Sequence, residues 1–115
     1  MNINILGTKY EVVRQTEREN PKLETANGLC EVYSNRIVLR EIEDDPDNYE
    51  NIEAYKRKVF RHEIIHAFLA ESGLRADSWA ENEEMVDWIA NQFTKILEVF
   101  LQLDLLDGYG VGELP

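Results

Sequence analysis

The five residues His62-Glu63-Ile64-Ile65-His66 are the part of this chain whose types and spacing can do chemistry. His62 and His66 are its only histidines. Residues four apart share one face of an α-helix. Both imidazoles can therefore turn a nitrogen toward a single Zn²⁺ at about 2.0–2.1 Å. Glu63 is placed to take a proton from a water polarised by that metal. Hydrolysis of a peptide bond needs this combination of an electrophilic metal, an acidified water and a base beside it. Such a pattern also arises by chance, and a lone histidine is more often a core or surface residue than a ligand. Two features weigh against chance: the pattern uses every histidine, and it falls in an apolar stretch of helical period.

A catalytic zinc takes three protein ligands and leaves a fourth position open. With no third histidine, the third ligand must be Asp, Glu or Cys. The segment Asn82-Glu83-Glu84-Met85-Val86-Asp87 is the best source. Glu83 shares a helical face with Val86, Asp87 and Ala90, and is expected to point toward the core. Glu84 lines up with Trp88, Asn91 and Lys95, a more polar face. A core-facing carboxylate is costly without a charged partner, which favours Glu83 over Glu84 as the ligand. Asp87 can accept the other ring N–H of a ligating histidine and so fix its tautomer. The alternative is that Glu83, Glu84 and Asp87 form a solvated acidic helix start, favoured by the helix dipole. The upstream HExxH tips the balance toward ligation.

These residues need two helices and a framework to hold them. A helix is expected over residues 51–72, with Asn48 or Asn51 as N-cap and Gly73 just past its end. Tyr55, Val59, His62, His66 and Leu69 share one face; Phe60, Ile64, Ala67 and Phe68 occupy the next. A helix apolar over so much of its girth reads as central and buried. Its polar residues would be expensive there without partners. A second helix is expected from Ser78, with Ser78 and Glu81 at capping-box spacing. Its buried stripe would be Val86, Ile89, Ala90, Phe93, Leu97, Phe100 and Leu101. Upstream the chain is strand-rich. Residues 3–6 and 10–14 flank Gly7-Thr8-Lys9 as a hairpin, and residues 29–33 and 36–40 flank a Ser34-Asn35 turn. Residues 15–27 and 41–48 read as loops, and residues 107–112 as a glycine-rich tail.

At 115 residues this is one domain, strand-rich over 1–50, two helices over 51–105 and a tail over 106–115. No apolar run reaches the length of a membrane span, and the N-terminus lacks the pattern of a signal peptide. A single cysteine, Cys30, permits no intrachain disulfide and reads as a buried strand thiol. A cytoplasmic protein is the expectation. A net charge of −11, from 12 basic and 23 acidic residues, argues against nucleic acid as a partner.

Together, HExxH and Asn82-Glu83-Glu84-Met85-Val86-Asp87 resemble the gluzincin branch of zinc metallopeptidases, in which the second motif is written NExxxD. The small size and the run from Glu83 to Ala90 also look like the compact ImmA/IrrE-type metallopeptidases and minimal zincins of phages and prophages. The resemblance implies an α+β, zincin-like fold, with a small twisted antiparallel-rich sheet packed on an HExxH active-site helix and a second C-terminal helix. It implies a zinc-dependent peptidase with Zn²⁺ on His62, His66 and Glu83 and with Glu63 as general base. The partner would be a protein or peptide substrate, a regulatory protein by analogy, lying along an edge strand for which residues 36–40 are the candidate. Larger gluzincins use a further histidine or tyrosine to stabilise the oxyanion. No spare histidine exists here; Tyr49, Tyr55, Tyr109 and Arg75 are the candidate substitutes. The competing expectation is an inactive module of the same fold that binds a basic partner.

Overall fold

A computed structural model describes residues 1–42, 51–74 and 77–108. It is an α+β fold of four strands and two long helices. The strands are β1 (Asn2–Ile5), β2 (Thr8–Gln15), β3 (Gly28–Glu31) and β4 (Arg36–Arg40); the helices are α1 (Ile52–Glu71) and α2 (Glu83–Gln102). The sheet order is β1-β2-β4-β3. β1 pairs antiparallel with β2 and β3 antiparallel with β4, but β2 and β4 run parallel. The sheet is therefore mixed.

Strand alternation builds the core. Ile3 and Ile5 of β1, Tyr10 and Val12 of β2, Cys30 of β3, and Ile37 and Leu39 of β4 form one cluster with Tyr55, Val59, Phe60, Ile64 and Ala67 of α1. One sheet face thus packs on α1 at period two. Val38 is fully buried as well, so β4 is covered on both faces. Polar ties align helix and sheet: Tyr10 Oη and Thr8 Oγ1 donate to the two oxygens of Glu71 at 2.8 and 2.9 Å. On the other side of α1, Arg61 Nε donates to the Ala90 carbonyl of α2 at 2.8 Å.

Both ends of α1 are closed as the sequence reads them. The Asn51 side chain accepts from Ala54 N–H. Gly73, at φ +88°, follows the helix. Gly73 N–H bonds the Ala70 carbonyl and Leu74 N–H bonds the Leu69 carbonyl, the paired bonds of a Schellman ending.

Several expectations need correction. Residues 36–40 are central, between β2 and β3; the edges are β1 and β3. The first hairpin turns at Leu6-Gly7, because Ile5 pairs with Thr8 and both turn residues have positive φ, as a type I′ turn requires. The second turns through a 3₁₀ segment (Val32–Ser34) and then Asn35 in the left-handed region, which asparagine tolerates. Within 15–27, a 3₁₀ turn (Pro21–Glu24) buries Leu23 completely. Ser78 caps a separate 3₁₀ turn (Trp79–Glu81), and α2 starts only at Glu83. Of the stripe on α2, Val86 and Ala90 are buried, whereas Phe93, Phe100 and Leu101 are exposed. Phe68 of α1 is exposed too. Tyr49 and Arg75, most of loop 41–48, and the tail from Tyr109 lie outside the described residues. No described helix is long and apolar enough to cross a membrane.

The cap of α2 is testable. Asn82 Oδ1 accepts from Met85 N–H at 2.9 Å, and loss of such a cap costs about 1 kcal/mol. Asn82→Ala is expected to destabilise by that amount in urea denaturation. Ser78→Ala, which touches only the short turn, should cost less.

Candidate metal centre

Helix α1 lies between the sheet and α2, so residues one position apart on it face different neighbours. His62 and His66 face α2. Glu63 turns toward β3 and is 6% exposed, the one buried charged residue among those described. The imidazole rings of His62 and His66 stand 4.9 Å apart between centroids, as an i, i+4 pair should. Across from them, Glu83 opens α2. Its Oε2 lies 2.9 Å from His62 Nε2, and its Oε1 3.1 Å from His66 Nε2. One donor atom from each of His62, His66 and Glu83 falls within 4.8 Å of the others.

Those spacings fit a small cation. Ligand atoms about 2.0–2.1 Å from a tetrahedral Zn²⁺ lie roughly 3.3 Å from one another. The two Glu83–histidine contacts need to open by only a few tenths of an ångström. Two imidazole nitrogens and one carboxylate oxygen are a donor set suited to zinc. His62 Nδ1 lies 3.2 Å from Asp87 Oδ1. With its proton donated there, the ring keeps the Nε2 lone pair for a metal.

The arrangement differs from expectation in one respect. Glu83 does not face the core: its side chain is 70% exposed. It occupies the expected helical face, but at the first position of α2. Glu84 is exposed and takes no part in the group. Tyr55 lines the same cleft but is two turns from His62, about 10 Å along the helix axis. Its hydroxyl takes a hydrogen bond from Asn27 Nδ2.

Three participants were not expected from sequence. Lys58, one turn before His62, puts Nζ 2.5 Å from Asp87 Oδ1; its i, i+4 spacing to His62 was the available signal. Asn27 and Gly28, where the chain enters β3, form the opposite wall. The resulting cleft, about 810 Å³, runs between β3, α1 and the start of α2.

Electrostatics sort the acids by role. Burial is the main reason the Glu63 carboxyl is pushed up to about 7; Glu83 adds to this, while His62 and Lys58 oppose it. A carboxyl tuned toward neutrality suits a group that takes and returns a proton near pH 7. The hydrogen bond from Lys58 holds Asp87 below the usual carboxylate range, with His62 helping. Burial raises the Cys30 thiol to about 12, reinforced by Glu63, Glu71 and Glu31. That thiol lies outside the metal group.

Two predictions follow from these shifts. In metal-free protein, folded Glu63 keeps its proton to about pH 7, whereas the unfolded chain ionises it near 4.5. The folded state binds more protons across that window, so this group lowers stability as pH rises from 4.5 to 7, then stays level. Glu63→Gln should match wild type near pH 4 and exceed it by a few kcal/mol at pH 8, read by urea denaturation in chelator. Cys30, almost wholly protonated, should react with iodoacetamide at pH 8 far more slowly in native protein than in urea.

No family model, no curated protein and no solved structure matches this chain.

Proposed function

We propose that this chain is a zinc-dependent peptidase with a zincin-like core. The observation that carries the reading is the convergence of His62, His66 and Glu83 beside a buried carboxylate, Glu63, tuned toward neutrality. His62, His66 and Glu83 would hold the ion. Bound there, Zn²⁺ supplies Lewis-acid polarisation of a carbonyl and acidifies water. Glu63 takes the proton of the attacking water and returns it to the departing amine. Asp87 holds the His62 ring in one tautomer, and Lys58 holds Asp87 ionised and in place.

The substrate strand would add to β3, the sheet edge that lines the cleft. Arg40 N–H bonds the Asn27 carbonyl. In the antiparallel register that follows, Leu29 and Glu31 turn their backbone groups to β4, and Gly28 and Cys30 turn theirs outward. A peptide lying there would pass across the face of α1 that carries Glu63. The resemblance to phage and prophage metallopeptidases extends the proposal to a regulatory protein as substrate, acting in the cytoplasm.

An inactive module of the same fold is the competing reading. It would bind a basic partner, to which the net charge of −11 is suited. One experiment separates the two. Untagged wild type and Glu63→Gln should each carry about one zinc per chain by elemental analysis, while Glu83→Ala should lose most of it. Turnover of a pooled fluorogenic peptide substrate should fall by about 10²-fold or more in Glu63→Gln. Zinc retained with unchanged turnover would remove Glu63 from the chemistry.

A further inference from the structure

We propose that Gly28 is a positioning residue for Glu63: the missing side chain at the start of β3 is the seat of that carboxylate. The catalytic consequence rests on the peptidase reading; the contact itself does not.

Space requires glycine here. A Cβ at position 28 would stand 2.9 Å from both Cγ and Oε2 of Glu63, and 3.1 Å from Cγ1 of Val59. Nonbonded carbons settle at about 3.5–4.0 Å, so something would have to move. Both neighbours are fixed: Val59 is 8% exposed and Glu63 6%, each on the buried face of α1. Backbone conformation does not require glycine. Gly7, Gly73 and Gly108 have positive φ, and Gly28 is not among them. It pairs in regular register with Leu39. Glycine also weakens a strand, which often marks the close approach of another group. The group that approaches here is the carboxylate of Glu63.

The position joins two parts of the proposed reaction. Gly28 holds one of the outward-facing sets of backbone groups on the β3 edge, where a peptide would pair. The same residue sets how deep the Glu63 carboxylate lies beside that edge. A methyl group at 28 would push the carboxylate off the strand and change its approach to a bound peptide. His62 and His66, which face α2, and Glu83, which opens it, would be left as they are.

A double-mutant cycle tests the contact on the full chain by urea denaturation of Gly28→Ala, Glu63→Ala and the double variant. Gly28→Ala should destabilise the parent and cost clearly less in the Glu63→Ala background, where the two Glu63 atoms are gone and only the 3.1 Å approach to Val59 Cγ1 remains. An equal loss in both backgrounds would overturn the proposal. For the catalytic role, Gly28→Ala should keep one zinc per chain and an unchanged KM on the pooled fluorogenic peptide, with kcat lowered about 10²-fold. A kcat within twofold of wild type would overturn that role. If zinc-loaded wild type shows no turnover, or Glu63→Gln turns over as well as wild type, the peptidase reading fails. The stability cycle would still decide the Gly28–Glu63 contact.

Discussion

A buried carboxylate is costly, and α1 carries one at its centre. Glu63 is only 6% exposed and is pushed toward neutrality by burial itself. The surrounding structure is arranged around that residue. The sheet supplies the apolar floor, β3 opens a gap at Gly28, and α2 closes the far side of the helix. The same three-layer arrangement sends adjacent residues of α1 to different neighbours. His62 and His66 reach α2 while Glu63 reaches the strand. Glu63 and the two imidazoles are thereby held on one helix yet kept apart in environment.

Much of the site was legible because helical spacing is local. The pair His62 and His66, the cap at Asn51, the ending at Gly73 and the shared face of Glu83 and Asp87 all follow from turns of a helix. Long-range facts were harder. The run Ile37-Val38-Leu39, apolar at three successive positions, is the mark of a strand covered on both faces. The strand accordingly lies inside the sheet, between β2 and β3. The parallel pairing of β2 with β4 depends on β3 lying outside β4, which no local pattern dictates. Glu83 sits on the helical face that its spacing predicts, but in an exposed position. Face arithmetic says where a side chain points; cover depends on how far the neighbouring helix extends.

The second half of α2 shows the same limit. A stripe with helical period was expected to be buried, and its first turns are, at Val86 and Ala90. Beyond them α2 carries apolar residues that nothing among the described residues covers fully. Periodicity in a sequence marks a face suited to burial, while the partner that buries it has to be found in three dimensions.

The proposed zinc site joins His62, His66 and Glu83. The most direct test is X-ray absorption spectroscopy of the chain loaded with one equivalent of Zn²⁺. A four-coordinate ion with two imidazoles and oxygen donors at about 2.0–2.1 Å and no sulfur is the expected result. A zinc–sulfur shell near 2.3 Å, or a spectrum without imidazole scattering, would contradict it.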